Sequence, residues 1–144
     1  MVLRDAYMAW TRRALPFLAL PLALTAVVQA VSAGAWWRSG PEPPLGARSL
    51  FIAAAVGAIA YARSVRQRET ARRGLTEAQL VSLSWRLVTL SLTPSVAGAV
   101  LAMMTRSTFD HYLLLAVTLV GIVLLYPRYD QWLAWSTPPE TGDR

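Results

Sequence analysis

Four apolar runs, none containing Asp, Glu, Lys, Arg or His, constrain this chain more than any other feature. They extend from Ala14 to Trp37, Ser49 to Ala62, Leu87 to Met104 and Tyr112 to Tyr126. About 20 apolar residues in a helix cross a bilayer's hydrocarbon. The first and third runs reach or approach that length. The second and fourth are short, and they span if Arg48, Arg63 and Arg128 reach toward the headgroups while their stems stay in lipid. Local thinning of the bilayer is the other route. The pattern predicts an all-α membrane protein with four transmembrane helices arranged as two helical hairpins. A single domain over 1–137 and a disordered tail over 138–144 are expected. Arg12 and Arg13 before the first run and Ala33-Gly34-Ala35 late in it resemble a cleaved leader. The apolar stretch is too long for one, so the expectation is that it remains as the first span.

Composition narrows the function. The chain has no cysteine, which removes disulfides and thiol chemistry, and one histidine, His111. Its net charge is +6, and all 14 basic residues are arginine. These arginines flank the apolar runs and do not form a polar domain, so no nucleic-acid partner is expected. A proton-carrying ring subunit or a small drug–proton antiporter needs a carboxylate within the membrane, because transport requires a charge that can be neutralised in lipid. The four runs lack one. Asp110 and His111 open the fourth helix, but two ligands are too few for a firm metal site. Ser107 or Thr108 as N-cap, with Asp110 favoured by the helix dipole, accounts for them. No catalytic residue, metal or cofactor is assigned, and an enzyme is not expected.

Charge sets an expected orientation. Arg4, Arg12, Arg13, Arg63, Arg66, Arg68, Arg72, Arg73, Arg86, Arg128 and Arg144 would share one side, and Arg38, Arg48 and Arg106 the other. By the positive-inside rule both termini lie in the cytoplasm, in a bacterial inner membrane. Trp36, Trp37, Phe109 and Tyr112 then mark the outer edge. Trp10, Tyr61, Trp85, Tyr126, Tyr129, Trp132 and Trp135 mark the inner edge as an aromatic girdle. The segment Tyr129 to Trp135 reads as a short interfacial anchor.

Local signals sharpen the boundaries. Gly40-Pro41 ends the first helix, and Pro41-Glu42-Pro43-Pro44 is a stiff loop. The second helix continues past the membrane through Arg73, with Gly74 as its cap. Thr76 and Gln79 form a capping box for the third helix, and Leu75 and Leu80 a hydrophobic staple. A short cytoplasmic helical extension between helices two and three follows. Pro16, Pro21 and Pro94 fall within helices and predict bends. Arg13 to Pro21 and Arg86 to Pro94 share a spacing, and Tyr61-Ala62-Arg63 mirrors Tyr126-Pro127-Arg128, which suggests a parallel internal repeat.

The stretch from Trp85 to Arg128 contains Leu92-Thr93-Pro94-Ser95-Val96-Ala97-Gly98 and ends in Leu124-Leu125-Tyr126-Pro127-Arg128. It resembles a group of small bacterial proteolipid-like membrane proteins with two hairpins. The resemblance covers under a third of the chain and implies four helices. Some of that group carry a Glu two residues before the proline; Leu92 stands here.

Three sets of residues are candidates for function. Small residues recur at Ala26, Ala30 and Gly34, at Ala54, Gly57 and Ala58, and at Ser91, Ser95, Gly98 and Ala99. Such rows let helices approach closely. Arg13, Arg63, Arg66, Arg72, Arg73, Arg86 and Arg128 are candidate contacts for anionic lipids. Thr25, Gln29 and Ser32 form a polar stripe on helix one, suited to hydrogen bonds between helices or to a pathway. The expectation is a structural or accessory membrane subunit that packs with itself or with a larger membrane complex. The alternative is an oligomeric channel or transporter for a small solute or ion, lined by that stripe. Expected partners are the lipid bilayer with its anionic lipids, and a second copy or another membrane protein.

Overall fold

The structure, a computed structural model, describes residues 3–34, 37 and 45–138. The described residues are helical apart from turns and caps: α1 (Leu3–Leu18), α2 (Leu20–Ser32), α3 (Leu45–Thr70), α4 (Glu77–Thr105), α5 (Thr108–Leu125) and α6 (Tyr129–Ser136). The Pro-rich loop with its Gly40-Pro41 cap, Trp36, Arg38, and residues 139–144 of the expected tail lie outside the described residues. Four helical stretches are long and apolar enough to cross a membrane: Leu3–Ser32, Gly46–Thr70, Glu77–Thr105 and Thr108–Leu125. The chain is a multi-pass membrane protein.

The first stretch is α1 and α2 joined at Ala19. Pro21 has no N–H to continue the ladder, and its ring crowds the carbonyl four residues back. Ala19 N–H instead turns to the Pro16 carbonyl at 3.2 Å. Pro94, by contrast, lies within an unbroken α4. The start of α4 follows the sequence prediction. Gln79 N–H donates to Thr76 Oγ1 at 3.4 Å, and Thr76 N–H donates to Gln79 Oε1 at 2.9 Å. Leu75 and Leu80 are both buried in one cluster, as a staple requires. The second helix ends at Thr70, short of Arg73, and the chain turns through Arg73 and Gly74, both at positive φ.

α4 is the central element. The most apolar window of its span is 56% buried, against 11% for the second span, and α1, α2, α3, α5 and α6 all pack on it. α4 and α5, joined by the short turn at Arg106 and Ser107, pack closely on each other. Gly98 permits it: a Cβ there would lie 2.9 Å from Leu114 Cβ and 3.3 Å from the His111 carbonyl oxygen. The first two spans pack chiefly on α4 and α5, not on each other. The packing among the described residues therefore does not repeat between the two halves.

The main core sits at the end where α1 begins and α6 packs. Ala6, Trp10 and Ala14 of α1, Leu80, Leu83 and Leu87 of α4, and Trp132 and Trp135 of α6 are buried together there. This corrects the expected girdle. Trp10, Trp132 and Trp135 are only 2%, 0% and 9% exposed, whereas Tyr61 is 61% exposed. The reason is α6, which folds back onto α1 and α4 and buries Trp132 and Trp135 against them. The Tyr7 and Trp132 rings meet edge-on at 5.3 Å, and Trp10 lies 5.5 Å from Tyr126. Such ring pairs contribute about 0.5–1.5 kcal/mol beyond their area. Trp132 Nε1 donates to the buried Ser84 hydroxyl at 3.0 Å, so its indole enters the core with its donor satisfied. Leu75 N–H donates to the Trp135 carbonyl at 2.9 Å and ties α6 to the α3–α4 turn.

Candidate functional site

At the opposite end of the bundle, polar side chains from four helices converge. Asp110 is 3% exposed although it opens α5. Ser107 occupies the N-cap without a side-chain capping bond. The Asp110 carboxylate is instead held by other elements: Arg48 Nε of α3 donates to Oδ2 at 3.0 Å, and Thr105 Oγ1 at the end of α4 donates to the same oxygen at 2.7 Å. Burying a carboxylate costs several kcal/mol unless a counter-charge and hydrogen bonds offset it. Here one oxygen receives both. Arg48 is not merely an edge residue reaching for headgroups. Its side chain is 35% exposed, so it joins the buried carboxylate to the surface.

His111 is fully buried. Its Nε2 lies 2.9 Å from Thr25 Oγ1, and Thr25 Oγ1 also lies 2.8 Å from the Pro21 carbonyl oxygen. A hydroxyl has one hydrogen, and the carbonyl can only accept. Thr25 therefore donates to Pro21, and His111 Nε2 carries the proton and donates to Thr25. This assignment comes from the bonding pattern. Nδ1 is then a buried acceptor with no partner among the described residues. Beside it, Gln29 Nε2 donates to the Tyr112 hydroxyl, and the His111 and Tyr112 rings stand 5.7 Å apart.

The polar stripe thus divides. Thr25 and Gln29 bond across to α5. Ser32 donates to the Gln29 carbonyl of its own helix at 2.9 Å. Neither the stripe alone nor Asp110 and His111 alone indicated this cluster. The available signal was that the far end held two carboxylates (Glu42 and Asp110), one imidazole and few arginines, so opposite charges there had few alternative partners.

The small-residue rows also divide. Ser91, Ser95, Gly98 and Ala99 of α4 are buried inside the chain. Ala26, Ala30 and Gly34 are exposed, as are Ala54 and Gly57, while Ala58 is half-buried. No atom lies within 4 Å of where a Cβ on Gly57 would stand.

The arginines are not equivalent. Arg13, Arg72, Arg73, Arg86 and Arg128 are exposed. Arg66 is half-buried; its Nη1 donates to the Leu124 carbonyl at 2.7 Å, and its guanidinium lies 5.7 Å from the centre of the Trp135 ring. Ile59, Arg63, Arg66, Gln67, Leu124 and Leu125 line a cavity of about 320 Å³ between α3 and α5. Comparison with protein-family models, with curated proteins and with solved structures finds no match to this chain.

Proposed function

We propose that the chain is a structural or accessory membrane subunit that associates, through its first two spans, with a second copy or with a larger membrane complex. The observation that carries this is the open face of the second span. Ala54 and Gly57 point away from the chain, and the space over Gly57 is empty. In lipid there is no hydrophobic drive to pair helices, so close backbone approach at small residues becomes the main source of association. The rows on α2 and α3 suit that use, since α4 has already spent its own row inside the chain. The charge asymmetry supports a bacterial inner membrane with both termini cytoplasmic. The arginine-rich terminal end is then the inner one.

The channel reading needs Thr25, Gln29 and Ser32 to face a pathway. Thr25 and Gln29 bond to His111 and Tyr112, and Ser32 to its own helix, which favours the accessory reading. Solubilisation in mild detergent followed by native mass measurement tests it. The expected particle is an oligomer or a complex with another protein, lost in Gly57→Leu. A Cβ at that position has no atom of the described residues within 4 Å, so the substitution starts in open space and a partner is what it is expected to obstruct. A strictly monomeric particle with no companion would reject the proposal.

A further inference from the structure

We propose that the cavity between α3 and α5 at the arginine-rich end is a binding site for an anionic phospholipid. Its phosphate would sit between Arg63 and Arg66, and its apolar part on Ile59, Leu124 and Leu125. This goes beyond a general attraction of the basic rim for lipid, because it selects two arginines from many.

The first ground is the order of chemistry along α3. Ile59, Arg63, Arg66 and Gln67 lie on one face at spacings of three and four. Ile59 is one turn nearer the bilayer centre than Arg63, and Gln67 one turn farther out. The cavity they line with Leu124 and Leu125 passes from apolar to cationic in the direction a phospholipid does. A small soluble anion has no use for the apolar floor.

The second ground is preorganisation. Arg66 is held at both sides, by the Leu124 carbonyl at 2.7 Å and by the face of Trp135. Its bond to the end of α5 also counters the negative pole of that helix, which would otherwise repel an anion. Of the five N–H donors of a guanidinium, that bond uses one. Arg63, four residues before Gln67, is exposed and forms no ion pair among the described residues, where the ion pair found is Arg48–Asp110. Two guanidinium groups on neighbouring turns suit bidentate binding of phosphate oxygens. The floor is shaped by Gly121. A Cβ at Gly121 would collide with Ile59 Cδ1, so the Ile59 side chain lies directly on the α5 backbone beneath the cavity.

The test is a lipid titration of the full chain in non-ionic detergent, with bound phosphatidylglycerol and phosphatidylcholine resolved by native mass spectrometry. Phosphatidylglycerol is expected to bind more tightly. Arg63→Gln should weaken it about fivefold, the factor one interfacial arginine represents, with little effect on phosphatidylcholine. Arg63→Lys should restore part of the loss. Arg13→Gln and Arg72→Gln, which alter the same charge elsewhere on the rim, should leave the affinity unchanged. Gly121→Ala should weaken binding without any change in charge, by pushing Ile59 into the cavity. Equal losses in Arg63→Gln and Arg13→Gln would reduce the site to diffuse attraction and overturn the proposal. So would an unchanged affinity in Arg63→Gln. Displacement of the lipid by excess inorganic phosphate would show a soluble-anion site and overturn it as well. Arg63 is exposed, so none of these outcomes rests on a failure to fold.

Discussion

Replacing three glycines by alanine, one at a time, separates the close packing of this bundle from simple helix propensity. At Gly98 the new methyl would meet Leu114 Cβ at 2.9 Å, the His111 carbonyl oxygen at 3.3 Å and His111 Cα at 3.5 Å. Two of those atoms are backbone and the third is fixed to it, so α5 must move as a body. Overpacking costs about 1–3 kcal/mol, and alanine returns about 1 kcal/mol of helix propensity, so Gly98→Ala should lose up to about 2 kcal/mol net. At Gly121 the obstacle is the far end of the Ile59 side chain, which can change rotamer. Overpacking and propensity there should nearly cancel, to within about 1 kcal/mol. At Gly57 nothing opposes the methyl, and the dissociated monomer should gain about 0.5–1 kcal/mol. Reversible unfolding in mixed detergent–SDS micelles, followed by tryptophan fluorescence, measures all three. The order Gly57→Ala above Gly121→Ala above Gly98→Ala is required. Gly98→Ala should also loosen the far-end cluster, because α5 carries Asp110 and His111. If Gly98→Ala were as stable as Gly57→Ala, the tight α4–α5 crossing would be wrong.

Three further outcomes follow from the same geometry. Removing Arg48 leaves the carboxylate of Asp110 buried with Thr105 as its partner among the described residues, so Arg48→Leu should cost about 2–3 kcal/mol, reduced from the fully buried case by the exposure of Arg48; Asp110→Asn should cost less, and the double variant Arg48→Leu/Asp110→Asn should recover part of the Arg48→Leu loss, as equilibrium unfolding of the four proteins would reveal. Ser84→Ala leaves the Trp132 indole N–H without its partner, and a loss of about 1–3 kcal/mol is expected in the same unfolding assay. Burial first, and then the nearby Tyr7, push the phenol of Tyr126 above its ordinary 10.0, a side-chain hydrogen bond with Thr11 pulling the other way. The fold thus favours the protonated phenol, so its contribution is complete at neutral pH and fades as pH rises through the raised value; alkaline unfolding should shift to higher pH in Tyr126→Phe.

Local chemistry made much of this legible. The capping box at Thr76 and Gln79 and the staple of Leu75 and Leu80 depend only on residues a few positions apart, and they form as their spacing indicates. The polar cluster was legible only in fragments. Thr25 is 86 residues from His111, and Arg48 is 62 from Asp110. No periodicity links such positions; the packing of four helices does. The aromatic residues expected at the inner edge misled for a related reason. A tryptophan suits a membrane interface and a protein core equally well, and its neighbours in sequence do not choose between them.

The amino-acid sequence alone determined that the chain crosses a membrane. Runs of apolar side chains in lipid must be helical so that every backbone group is paired within its own segment. That requirement is local, and it needs no knowledge of neighbours. Which faces are buried, which small residues remain open and which charges meet were decided by tertiary structure. They depend on how α6 folds back and on how closely α4 and α5 approach at Gly98. Lipid solvates every apolar face about equally, so hydrophobicity cannot select the packed faces in a membrane, and only shape and hydrogen bonding remain to do it.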